Sequence, residues 1–130
     1  MKRNVLAIIA AAVVLTGLTT RGNCDGFAPA EQELIKKGLT MEAYRPDSEV
    51  SHEIETIHGS KGSGPVVVLI FGRVEAEAAR SAGHKAAAAG YNAPDAERVL
   101  LGRARAKYPN SAFFLQCFMR EAAAAYNAGK

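Results

Sequence analysis

The stretch that most restricts this chain is Gly64–Gly90, GPVVVLIFGRVEAEAARSAGHKAAAAG. Val66–Phe71 is an unbroken apolar run, too short for a typical helix and rich in β-branched residues, so it predicts a buried strand. Gly72 ends the run. Residues 73–89 are alanine-rich, with Arg73/Glu77 and Glu77/Arg80 at i,i+4 and i,i+3 spacing, and Gly90 follows them. That pattern predicts a helix with a glycine stop. Ala79, Ala82, Ala86 and Ala89 fall on one helical stripe. A stripe of small residues predicts a helix seated closely on a sheet, although each alanine buries little area. Gly83 lies inside the stripe, where glycine costs about 1 kcal/mol relative to alanine.

The N-terminus has a different composition. Met1-Lys2-Arg3-Asn4 is a short basic segment, Val5–Leu15 is continuously apolar, and small residues follow. This is the pattern of a secretory signal peptide, and residues 1–22 are assigned to it with cleavage after Gly22. The apolar run falls short of the ~20 residues of a membrane span. A retained leader acting as a tether is the alternative. The positions before Cys24 hold Asn23 and Arg21, unlike the small and aliphatic residues of a lipidation site.

Removing the leader changes the electrostatics. The chain carries +3 overall, and Lys2, Arg3 and Arg21 account for all of it. A neutral domain over 23–130 gives no reason to expect nucleic-acid binding, and membrane association is expected only with a retained leader. Charge is nevertheless segregated, with net −5 over 23–58 and +5 over 59–130. The acidic part is expected to fold over the basic part. An exported domain of this size with two cysteines, Cys24 and Cys117, is expected to join them in one disulfide. Closing so long a loop is worth ~4–5 kcal/mol in the chain-entropy model.

The remaining segments predict a small α/β or α+β domain centred on strand 66–71. Pro29, Glu31, Lys36, Lys37 and Gly38 punctuate a helix over 29–37. Thr40 is placed to cap a short helical turn through Met41, Glu42 and Ala43, stopped by Pro46. Glu49–His58 alternates as an exposed strand, with Val50, His52, Ile54 and Thr56 on one face, suited to antiparallel pairing with 66–71. Asn92, Pro94 and Asp95 open a helix over 93–107 that Pro109 ends. Its predicted buried side is Val99, Leu100, Leu101, Ala104 and Tyr108. Its basic residues Arg98, Arg103, Arg105 and Lys107 form a possible binding surface or an ordinary solvated face. Ser111–Phe118 reads as strand or helix, and a C-terminal helix continues to about 127.

Little in the sequence carries chemistry. His52–His58, HEIETIH, lacks the i,i+4 histidine pair of a zinc helix, because position 56 is Thr56. Six residues apart on a strand, His52 and His58 are ~20 Å from one another. No metal or cofactor is expected. Gly59–Gly64 is glycine-rich but precedes the strand, whereas a phosphate loop follows one and opens a helix.

GSGPVVVLIFG, KAAAAGY and APD, followed by AKYPNSAFFLQCFMREAAAAYNAG, resemble segments of the dienelactone-hydrolase-like α/β-hydrolases. The resemblance implies a strand–glycine–helix architecture and puts Cys117 at the nucleophile position. The catalytic motif is degenerate: Leu115 and Met119 stand where the nucleophile elbow needs glycines, and no histidine follows Cys117. The expected function is therefore an exported, non-catalytic binding, inhibitor or accessory protein of a bacterial envelope, whose partner is another envelope protein. The alternatives are a thiol hydrolase using Cys117 and a membrane-tethered structural component.

Overall fold

The computed structural model describes residues 26–59 and 63–129. They form an α+β fold with a three-stranded mixed sheet and four helices. In chain order these are α1 (Pro29–Lys36), β1 (Thr40–Tyr44), β2 (His52–Ile57), β3 (Gly64–Phe71), α2 (Arg73–Ala88), α3 (Ala93–Lys107) and α4 (Ala112–Ala128). The strand order is β1-β3-β2, with β1 parallel and β2 antiparallel to β3.

The central strand is the apolar run. Val67, Leu69 and Phe71 point into the helical layer, while Val68 and Ile70 point to the opposite face, and all five are buried. On the helical side, Thr40, Glu42 and Tyr44 lie beside Val67, Leu69 and Phe71, and His52 and Ile54 pair with Leu69 and Val67. Arg45 follows β1 and bonds Glu53 and Glu55 of β2. Because β3 lies between those strands, the ion-pair bridge spans about two strand spacings, ~10 Å.

Helix ends follow from named residues. Asn92 Oδ1 accepts the Asp95 N–H at 2.9 Å, and Ser111 Oγ accepts the Phe114 N–H at 3.0 Å. Glu31 and Glu75 reach back to the N–H groups of Ala28 and Gly72, each at 2.9 Å. Gly38 (φ 77°) and Gly90 (φ 83°) take left-handed conformations after α1 and α2. Their bonds, with Leu39 N–H to Leu34 O and Tyr91 N–H to Ala86 O, close both helices as Schellman motifs.

The structure corrects several expectations. The capped turn over 40–43 is strand β1. Leu39 uses its N–H in the α1 stop and its carbonyl for Val67, so the chain leaves the helix already paired with β3. Strand pairing then overrides the helix propensity of Met41, Glu42 and Ala43. Residues 111–118, left open between strand and helix, are helical, with Ser111 as the cap. The alanine stripe of α2 lies mainly against α4 rather than on the sheet. At Gly83 the fit is close enough that a Cβ would stand 2.1 Å from the Ala122 carbonyl oxygen.

The acidic part supplies β1 and β2, which flank β3 of the basic part, while most ion pairs form within one part. Among the described residues, Arg45 bonds Glu53 and Glu55 within the acidic part, and Arg80 bonds Glu121 within the basic part. Arg73 with Glu49, at 2.6 Å, links the two.

Candidate functional site

Cys117 is buried on α4, in a polar seam between β1, α2 and α4. The Glu121 carboxylate, one turn further along α4, accepts the Tyr44 hydroxyl at one oxygen and Arg80 Nε–H at the other, the latter at 2.9 Å. The Arg120 guanidinium lies 4.9 Å from the centre of the Tyr44 ring, a cation–π contact. Ser111 donates its hydroxyl to buried Glu42 while its oxygen caps α4. Both carboxylates are thus held by groups from other elements.

These surroundings suppress ionisation. Burial pushes the Cys117 thiol up to about 12; Arg120 opposes this, while Glu42 and Glu121 reinforce it. Tyr44 is also pushed up to about 12, first by burial and then by its bond to the Glu121 carboxylate. A nucleophilic thiolate requires an electropositive, accessible setting that lowers the pKa. Cys117 has the reverse: 6% exposure and two neighbouring carboxylates. Its expected disulfide partner, Cys24, lies outside the described residues. A Cys24–Cys117 bond requires residue 24 to reach this seam.

The turn from β3 into α2 is closed by the chain itself. The Arg73 N–H donates to the Ser48 carbonyl at 2.9 Å, and Gly72 N–H is taken by Glu75. A side chain on Gly72 would meet the carbonyls of Ser48 and Val50 at 2.8 and 3.1 Å. The 45–51 loop therefore packs directly on the glycine at the start of α2.

The other predicted residues are dispersed. His52 and His58 sit at or beyond opposite ends of β2, and His84 is exposed on α2. Among the described residues, no three His, Cys, Asp or Glu side chains are grouped to hold a metal ion. Arg98, Arg103, Arg105 and Lys107 are all exposed on α3, and Arg98 bonds Asp95 at 2.5 Å. At ~100° per residue, Arg98 and Arg105 share one side while Arg103 and Lys107 lie roughly opposite, so the four do not form one stripe.

A cavity of about 400 Å³ opens where the β2 side of the sheet meets the first turns of α2 and α4 and the end of α3. Its lining includes Phe27, His52, Leu69, Glu75, Tyr108 and Phe114. Phe27 lies against His52 with ring centres 4.2 Å apart, and Tyr108 meets Phe114 edge to face at 5.4 Å. His52 Nδ1 is buried and 3.2 Å from Glu31 Oε2, within ion-pair distance but without hydrogen-bond geometry. This volume lies in the range of small-ligand pockets. The cavity draws its walls from separate elements, so no local motif announces it. The seam left one trace in sequence: Glu121 is the only acid after Cys117. Comparison with family models, curated proteins and solved structures found no match for this chain.

Proposed function

We propose that this chain is an exported, non-catalytic binding, inhibitor or accessory protein of a bacterial-type envelope, acting on another envelope protein or a small ligand. The observation that carries the reading is the setting of Cys117. The side chain best suited by type to be a nucleophile is buried beside two carboxylates, with its thiol pushed up to about 12. Glu42 and Glu121 are themselves engaged in bonds that join elements. The basic leader with its apolar run supports export, and the cavity beside β2 supplies a place to bind.

Alkylation kinetics test the proposal. In reductant-treated native protein, Cys117 should react with iodoacetamide only as fast as the fold opens, and freely once denatured. Native alkylation at the rate of an unhindered thiol would overturn the reading in favour of the Cys117 hydrolase. Intact mass of the protein from the producing cell tests the export component. We expect a start near Asn23 and a Cys24–Cys117 bond; a start at Met1 would replace export with membrane tethering.

A further inference from the structure

The cavity beside β2 has a lining that selects the sign of its occupant. Leu69, Ile70 and Phe114 supply apolar atoms, Phe27 and Tyr108 add aromatic rings, and Ser51, His52 and Glu75 bring polar groups. No lysine or arginine is among its described lining residues. Glu75 gives its Oε1 to the Gly72 N–H, capping α2. Its negative charge therefore stands on the cavity wall without a cationic side chain bonded to it among the described residues. Glu31 adds a second carboxylate, 3.2 Å behind His52.

Helix ends modify this charge without reversing it. The N-termini of α2 and α4 and the C-terminus of α3 each contribute about half a charge. Those of α3 and α4 oppose one another, and that of α2 is outweighed by the full charge of Glu75. Aromatic faces are also negative, through the ring quadrupole. Cation–π attraction then adds to the attraction of the carboxylates.

We propose that this cavity is a binding site for a small organic cation with an apolar shell, of the quaternary-ammonium class. The proposal deepens the binding reading above and rests on it. Phe27, Tyr108 and Phe114 supply surface for the methyl groups, and Glu75 supplies the counter-charge. A neutral ligand of the same shape would keep the apolar contact and lose the electrostatic part.

The test is a titration of the purified full chain with choline and, separately, with choline's neutral carbon isostere. Ring resonances of His52, Tyr108 and Phe114 report on occupancy. Choline should shift them and bind about tenfold tighter than the isostere, a difference of ~1.4 kcal/mol. Glu75→Gln retains a side-chain oxygen for the Gly72 cap but removes the charge. It should reduce choline affinity about tenfold and leave the isostere unchanged. Phe27→Leu, which keeps an apolar side chain against the core, should weaken choline severalfold and the isostere much less.

Equal affinity for the two probes would overturn the proposal. So would choline shifts that avoid these rings, or the absence of saturable binding to folded protein. A slow Cys117 with no choline binding would remove the cation site and leave the binding reading standing. A fast native thiol would remove that reading itself.

Discussion

α4 meets α2 and β1 through different physics. Against α2, α4 presents Ala122 and Tyr126 to Gly83, with Ala79, Ala82 and Ala86 buried in the same core. Against β1, it presents Cys117 and Glu121 to Glu42 and Tyr44. The first contact depends on the absence of side-chain atoms. The second depends on polar atoms meeting specific partners. Small residues bury little area each, so the α2–α4 contact gains from close approach and is intolerant of any added atom. The seam can accept a change of shape but not the loss of a partner, because an unpaired buried polar group has a desolvation cost.

The largest expected effect breaks the first contact. Gly83→Ala should help α2 by ~1 kcal/mol through propensity alone. The added Cβ would lie 2.1 Å from the Ala122 carbonyl oxygen and 3.0 Å from the Tyr126 amide nitrogen. Both obstacles are backbone, so a helix must move. Overpacking of this kind costs typically ~1–3 kcal/mol and sometimes more, and we expect the upper end. The net loss in urea denaturation should be about 2 kcal/mol. Unchanged or increased stability would show that α2 and α4 do not approach as described.

A somewhat smaller effect should follow from Glu121→Ala in the seam. It leaves the Tyr44 hydroxyl and Arg80 without their shared acceptor. Breaking a fully buried pair costs ~3–5 kcal/mol, but Arg80 is 39% exposed and water can replace its partner. A loss of ~1–2 kcal/mol is expected. Glu121→Gln keeps an acceptor and should recover part of it. If both variants match the parent in urea denaturation, the seam contributes no stability.

The same contrast explains what was legible in the sequence. The apolar run 66–71 names the central strand because hydrophobicity and β-branching are local properties. α2 and α3 are legible through Gly72, Gly90, Asn92 and Pro109, which act on their own backbone. Strand β1 was not, because Thr40-Met41-Glu42-Ala43-Tyr44 alternates without burying an apolar face. Thr40 and Glu42 point inward, and buried Glu42 is explained only by Ser111, far along the chain. The alanine stripe was visible, but not its partner: small residues indicate a close approach without saying what approaches. The seam and the cavity are assembled from distant positions, so only the folded chain brings their residues together.

The subtlest expected effect concerns alkaline pH, and it separates the two contacts because Cys117 and Tyr44, both held protonated by the fold, lie in the seam. In the fold, Cys117 is raised from 9.0 to about 12, chiefly by burial, and Tyr44 from 10.0 to about 12, chiefly by burial and then by Glu121. Each group binds its proton more tightly folded than unfolded. Its contribution is therefore fully present below the unfolded pKa and is lost as pH rises through the folded one. With a reductant present, stability should decline from about pH 9, where the Cys117 contribution begins to fall, and steepen above 10 as Tyr44 joins. Cys117→Ala removes the thiol and substitutes a small apolar group, so its cost at neutral pH should be slight, about 1 kcal/mol. Its denaturation midpoint should vary less between pH 9 and 10 than the parent's, and both proteins should decline above 10. Gly83→Ala, which touches no titrating group of the seam, should keep the parent's pH dependence while lying below it throughout. A Cys117→Ala variant with the parent's slope between pH 9 and 10 would mean that the thiol is not held protonated by the seam.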